Sequence, residues 1–152
     1  MFSVHYGISP MPSSRQAVKK ILEHVPGDFQ GKIIDLGSGF GHLARALAHH
    51  CPSAQVEGIE ASPLPWFISF CYPHPSNLSF KKGDFLNYSL DSAQYLVCYL
   101  CPSAMVHLQV KFQQLQPGTV VISNTFALPS KKPIWVYHVT DLYYTPIYGY
   151  RY

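Results

Sequence analysis

Apolar and polar positions along the chain follow two rhythms that alternate, one of period 3.6 and one of strand type, and together they lay out an α/β protein. The first rhythm opens at Pro12-Ser13-Ser14-Arg15-Gln16, where Ser13 and Gln16 stand at capping-box spacing. Val18, Ile21, Leu22 and Val25 then fall on one helical face, and Pro26-Gly27 stops the helix. An apolar run with strand character, Lys32 to Leu36, is followed by Leu43, Ala44, Leu47 and Ala48, which mark a second helix ending near His50-Cys51-Pro52. Gln55 to Glu60 reads as strand two. Pro63 to Tyr72 reads as a short aromatic-rich helix packed on the sheet, its Trp66 and Tyr72 serving as core. Leu78 to Gly83 reads as strand three. Residues 1–12 carry neither rhythm and are expected to be irregular.

In the second half, Tyr95 to Cys101 is continuously apolar, as expected of a central strand covered on both faces. Pro102 suits the first position of the next helix, whose buried stripe is Met105, Leu108, Phe112 and Leu115. Pro117-Gly118 closes it and Thr119 to Ser123 forms strand five. Two strand-like pieces, 134–140 and 142–152, flank Thr140-Asp141 and predict a terminal antiparallel hairpin. Before it, Leu128 to Pro133 is too short for a crossover helix.

Composition narrows the class. A chain of 152 residues, 47% apolar and 12% charged, is expected to be one compact domain, 1–152, with little room for a separate substrate domain. The net charge of +3 is spread over eleven cations with no run beyond two, so nucleic-acid binding is permitted but not asked for. Four cysteines without a secretory signal read as reduced thiols, and the start Met1 to Tyr6 lacks both a basic region and a long apolar segment. No stretch of about 18 apolar residues suggests a membrane span. A soluble cytoplasmic protein is expected. Its oligomeric state stays open, because Tyr143, Tyr144, Tyr148, Tyr150 and Tyr152 could cover a sheet edge or a second subunit.

The candidate chemistry lies in Lys32 to Leu43, where Asp35 is followed by Gly37, Gly39 and Gly41 at alternate positions. Glycines between a strand and a helix permit unusual φ values and let a ligand lie against the main chain near free helix N–H groups. The dinucleotide fingerprint G-x-G-x-x-G fails here, because it requires glycine where His42 stands. The pattern Asp-x-Gly-x-Gly-x-Gly instead resembles motif I of the class I, seven-β-strand S-adenosylmethionine-dependent methyltransferases.

That resemblance implies a Rossmann-like, mostly parallel sheet with a C-terminal antiparallel hairpin and helices on both faces. It also implies S-adenosyl-L-methionine as cofactor and S-adenosyl-L-homocysteine as product. The turn Gly37, Ser38, Gly39 and Gly41 would contact the methionine end, with Asp35 supporting the turn or the ligand's amino group. Glu60, about 20 residues past the last glycine at the end of strand two, would accept the ribose hydroxyls, with Ala61 beside it. Asp84 would accept from the adenine amino group and Phe85 would cover the ring. Each has a plainer reading: a solvated acid for Glu60 and a loop cap for Asp84. Ser13 and Ser14 are either caps or, as in the resembling family, part of a segment that folds over the cofactor.

Within the class, the opening Pro-Ser-Ser, Asp-Leu-Gly-Ser-Gly, Gly58-Ile59-Glu60-x-x-Pro63, Cys101-Pro102-Ser103-x-Met105 and the Lys/Pro-rich loop before Trp135 look like one branch. This is the small protein-lysine methyltransferases, which include archaeal broad-specificity enzymes and mitochondrial enzymes acting on the ATP synthase c-subunit and the adenine nucleotide carrier. Phe40 and His42 depart from that branch's usual Asp and Arg, and its mitochondrial members' membrane anchor has no counterpart. The loop after strand four, Tyr99, Leu100, Cys101 and Pro102, is the candidate acceptor channel, with Tyr99, Cys101 and Pro102 as candidate catalytic residues. It lacks the Asn/Asp-Pro-Pro-aromatic pattern of enzymes that methylate nucleobases or glutamine.

Cys98-x-x-Cys101 has no second ligand pair, and on one strand the two thiols would face opposite sides. With the eight histidines scattered and no HExxH, no metal is expected. The function expected is methyl transfer to a protein lysine. The alternatives are a small-molecule methyltransferase and a catalytically degenerate cofactor-binding module.

Overall fold

A computed structural model describes residues 12–152, so the stretch read as irregular lies, apart from Pro12, outside the described residues. The described chain runs α1 (Arg15–Glu23), β1 (Lys32–Leu36), α2 (His42–His50), β2 (Gln55–Glu60), α3 (Pro63–Cys71), β3 (Leu78–Lys82), β4 (Tyr95–Cys98), α4 (Pro102–Phe112), β5 (Val120–Asn124), β6 (Trp135–His138) and β7 (Pro146–Arg151). The seven strands form one sheet in the order β3-β2-β1-β4-β5-β7-β6. Strands β1 to β5 are parallel, while β7 lies antiparallel to both β5 and β6. The Rossmann-like sheet with its antiparallel end is as the sequence predicted.

Strand alternation divides the core into two layers. Ile33, Val56, Val97, Ile122 and Ile147 face α1 and α2, meeting Ala17, Ile21, Leu43, Ala44 and Leu47. Ile34, Leu36, Leu96, Cys98, Val121 and Tyr150 face α4, meeting Ala104, Met105, Leu108 and Phe112. Besides the missing helix before the hairpin, the β3 to β4 crossover also lacks one. Its place is taken by loop residues Phe85, Leu90 and Ala93, which are buried beside α4.

Four sequence expectations need correction. The cap of α1 is Ser14, whose Oγ accepts the Ala17 N–H at 3.1 Å; Ser13 lies one residue outside the helix, so the capping-box register was off by one. Strand β4 stops at Cys98, because its neighbour β1 ends at Leu36, paired with Cys98. Beyond it Cys101 becomes the extended residue that starts α4, so the two thiols do not face opposite sides of a strand: both join the α4-side core. Leu115 lies past the end of α4 and is only half-buried.

The fourth correction concerns α3. The small residues Pro65 and Ser69, at i and i+4, form its inward face, which lets the backbone lie close to the sheet. Trp66 is half-buried and donates its ring N–H to the Phe80 carbonyl at 3.4 Å, but Tyr72 is exposed, as are Leu64, Phe67 and Phe70. The expected aromatic core helix is therefore turned largely outward.

The hairpin closes on an aromatic over a glycine. Trp135 is paired with Gly149, and its ring would stand 2.0 Å from a Cβ added there. His24 stacks on that ring at 3.9 Å between centroids. Gly149→Ala is expected to expel the indole and cost about 1–3 kcal/mol, read as a lower urea midpoint with a shift in tryptophan fluorescence. An unchanged midpoint would show that the ring can slide aside freely.

Candidate active site

The strand order reverses between β1 and β4: the chain steps outward to β2 and β3, then returns to the other side of β1. Open α/β sheets bind ligands at such a point, outside the carboxyl ends of the strands. Here that edge gathers the turn after Leu36, Glu60, the Gly83-Asp84 turn and the loop after Cys98.

Each glycine of the turn is required for a different reason. All three hold positive φ: 71° at Gly37, 56° at Gly39 and 88° at Gly41. A Cβ on Gly37 would meet Leu100 at 2.6 Å, so this glycine lets the β1 turn nest against the β4 loop. One on Gly41 would strike Arg45 and Phe80, so that glycine serves helix-to-strand packing. Around Gly39 nothing among the described residues lies within 4 Å of the Cβ position. Of the three, only this one presents bare backbone to open space.

The turn is locked to β2. Gly37 and Ser38 donate their N–H groups to the Ile59 carbonyl at 2.8 and 2.9 Å. Glu60, only 8% exposed, accepts the Gly39 N–H at 2.7 Å through one carboxylate oxygen and the Ser62 N–H at 2.8 Å through the other. Ala61 is half-buried between them. Positions 39 and 60 are thus adjacent, as a ligand spanning both would require.

Asp35 lies below, 3% exposed. Its Oδ2 and the Ser38 Oγ are both buried and without a hydrogen-bond partner among the described residues. Burial foremost, and then the neighbouring Glu60 charge, raise the Asp35 carboxyl to about 8. Orphaned buried polar atoms are costly, so a pair of them beside an open glycine suits a polar ligand.

The other predicted positions divide. Asp84 accepts the Leu86 N–H at 2.9 Å, closing its own turn, and Phe85 is buried in the α4-side core. Tyr99 stacks on Phe126 at 6.3 Å, and the buried Cys101 thiol meets the Ser103 hydroxyl at 3.1 Å; Pro102 is exposed. Ser13 and Ser14 are held at the far end of the same edge. Asn124 donates to Ser13 at 2.8 Å, and Ser14 donates to Asp141 at 2.8 Å. Sequence reading passed over Asn124 and Asp141, since neither belongs to a motif. Thr145 first, through hydroxyl and backbone N–H, with Ser14 and Tyr143, lowers Asp141 to about 2, so it remains a charged clamp for the hairpin loop. Among the described residues no group of three or more His, Cys, Asp or Glu is placed to hold a metal ion.

Residues 35–135, from the buried aspartate to the start of β6, match the ANTKMT methyltransferase domain. The chain belongs to that family. It is a class I S-adenosylmethionine-dependent methyltransferase, and its cofactor is S-adenosyl-L-methionine. Its fold is similar to that of an RNA methyltransferase from Salinibacter ruber in complex with S-adenosyl-L-homocysteine, at 27% identity over 93% of each chain and a TM-score of 0.82. A methyltransferase from Geobacter sulfurreducens, also with S-adenosyl-L-homocysteine, shares the fold at 18% identity, over 80% of this chain and 52% of that one, with a TM-score of 0.59. One from Mesorhizobium loti shares it at 21% identity over 71% and 50%, with a TM-score of 0.55. No curated protein matches the chain in sequence.

The methyltransferase edge fits this cofactor: bare backbone at Gly39, acceptors at Asp35 and Glu60, and a Ser38 hydroxyl without a partner among the described residues lie together at the turn after β1 and the end of β2. A stability consequence follows from Asp35. Its carboxyl stays neutral in the folded protein up to about 8, against 3.8 in the unfolded chain, so folding takes up a proton between those limits. Stability of the cofactor-free protein therefore falls as pH rises through that window, by at most about 1.4 kcal/mol per unit from this group. Asp35→Asn is expected to flatten the decline in urea unfolding from about pH 5 to pH 8, while equal slopes in both proteins would show Asp35 already ionised.

Proposed function

We propose that this methyltransferase transfers the methyl group to an amine, the ε-amino group of a protein lysine. The observation that carries the reading is the family match over 35–135, which spans all but the opening Pro-Ser-Ser of the segments that resemble small protein-lysine methyltransferases. The apolar loop after β4 supports it: Tyr99, Leu100, Cys101 and Pro102 stand where base- and glutamine-directed enzymes carry Asn/Asp-Pro-Pro-aromatic.

In this reading Glu60 takes the ribose hydroxyls on lone pairs its two backbone contacts leave free, and the Gly37-Ser38-Gly39-Gly41 turn cradles the methionine end. Asp35 faces the ammonium group, Asp84 the adenine amino group, and Phe85 backs the ring. Ser13 and Ser14, pinned to Asn124 and Asp141, border the same edge. When bound, S-adenosyl-L-methionine supplies an electrophilic methyl on a sulfonium. What remains for the chain is to align an amine lone pair in line with that bond and exclude water. A free lysine with pKa near 10.4 is neutralised at pH 7 at a cost of about 4.6 kcal/mol. The stacked Tyr99 and Phe126 rings, with Leu100 and Cys101, lower that cost by desolvating the ammonium form.

A second reading has its own support, since the Salinibacter ruber protein similar over 93% of both chains is an RNA methyltransferase. Against it stand the modest, dispersed charge and the β4 loop. A third, a binding module without turnover, is motivated by Phe40 and His42. Incubating a lysate with methyl-labelled cofactor separates them: label in protein supports the lysine reading, label lost to ribonuclease supports RNA, and a small soluble product supports a metabolite acceptor. Cofactor binding without any transfer supports the module.

Two outcomes are expected of the purified protein. Glu60→Gln should weaken S-adenosyl-L-homocysteine binding about 10- to 100-fold in calorimetry, as befits loss of charge-assisted hydrogen bonds, and an unchanged affinity would remove Glu60 from the site. With a protein acceptor, kcat/KM should rise about tenfold per pH unit below the acceptor's pKa, because the neutral amine fraction does. A flat profile would point to an acceptor that needs no deprotonation.

A further inference from the structure

Helix α3 is inside out. Its polar Ser69 is fully buried, donating to the Trp66 carbonyl, while Leu64, Phe67 and Phe70 are 66%, 57% and 55% exposed, with Tyr72 following at 61%. Side chains of this size left in water forgo the stabilisation of burial, and an apolar helix face of this kind marks an interaction surface.

The charge along α3 and β3 has one sign. From Ala61 to Gly83 there is no aspartate or glutamate, while Lys81 and Lys82 are exposed at the end of the adjoining strand. Lys82 Nζ stands 6.0 Å from the Trp66 ring, which stacks on Phe70 at 5.8 Å. At the other end of the helix the Arg45 guanidinium lies 5.7 Å from Tyr72, held by the carbonyls of Phe40, Ser69 and Pro73. Among the described residues no carboxylate pairs with any of these three cations.

We propose that the outer face of α3 is a peripheral membrane-docking surface that inserts Leu64, Phe67 and Phe70 into the interface of an anionic lipid layer, with Lys82 and Arg45 at its two ends toward the headgroups. Aromatic and leucine side chains on one helix face, flanked by cations, are what an interfacial helix presents. Anionic headgroups supply the missing charge. A second copy packed antiparallel on this helix would instead bring Lys82 of one chain toward Arg45 of the other, placing like charges across a low-dielectric contact. The docking is surface attachment only, since no helix among the described residues is long and apolar enough to cross a membrane. It does not depend on which acceptor the enzyme methylates.

The test is sedimentation of the whole chain with phosphatidylcholine vesicles, with and without about 30 mol% phosphatidylserine, at low and physiological salt. Binding should require the anionic lipid and weaken with salt. Lys82→Gln should reduce partitioning about fivefold, and Leu64→Ser with Phe67→Ser by about tenfold or more. Calorimetry with S-adenosyl-L-homocysteine, unchanged in both variants, shows that each still folds. Absence of binding to anionic vesicles overturns the proposal and leaves an acidic protein as the occupant. Binding equal in wild type and both variants overturns it too. So does a dimer in light scattering that Leu64→Ser with Phe67→Ser disperses, since the face would then belong to a second copy.

Discussion

One carboxylate joins the two halves of the cofactor edge. Glu60 ends β2, yet its oxygens receive an N–H from Gly39 in the turn after β1 and another from Ser62 at the start of α3. Hydrogen bonds to an ionised acceptor are among the stronger ones, and these two are nearly out of water. They hold the glycine turn in its left-handed conformation and fix where α3 begins. Asp35 is buried beside that charge with an oxygen unpartnered among the described residues, and burial together with the Glu60 charge favours its neutral form.

The rest of the molecule is a reduced frame around that edge. Crossover helices before β4 and before the hairpin are both missing, so one sheet face is covered by α4 and by irregular chain. Phe85, Leu90 and Ala93 fill one side; on the other, Tyr150 is wholly buried and its hydroxyl accepts the Leu128 N–H at 2.8 Å. The tyrosine-rich tail thus splits, Tyr150 serving the core while Tyr143 and Tyr144 stay in solvent near the Asp141 clamp. Economy of this kind suits a reaction that needs alignment and dryness more than a set of acid and base groups.

Much of this was legible beforehand. Apolar periodicity marks the strands and helices because burial on a sheet or helix face repeats at a set interval, and β2 and the stripe Leu43, Ala44, Leu47, Ala48 appear where the pattern puts them. The glycine spacing pointed to the cofactor class through its resemblance to motif I, and positive φ at all three positions is the reason glycine stands there. What misled was local reading of capping and core. Ser13 and Ser14 are equally good caps on paper, and the choice fell to Ser14 as Ser13 was taken by Asn124, 111 residues away. In α3 composition suggested a buried helix, but the close approach to β2 and β3 needed its small face inward.

The amino-acid sequence by itself determined the order and type of the elements, the glycine turn after β1 and the acid that ends β2, because these depend on neighbours within a few residues. Only the tertiary structure decided that Gly39 alone of the three glycines lies open, that Asp35 is pushed toward neutrality and that the aromatics of α3 face outward. Those are properties of distances between segments far apart in the chain, and no local pattern encodes them.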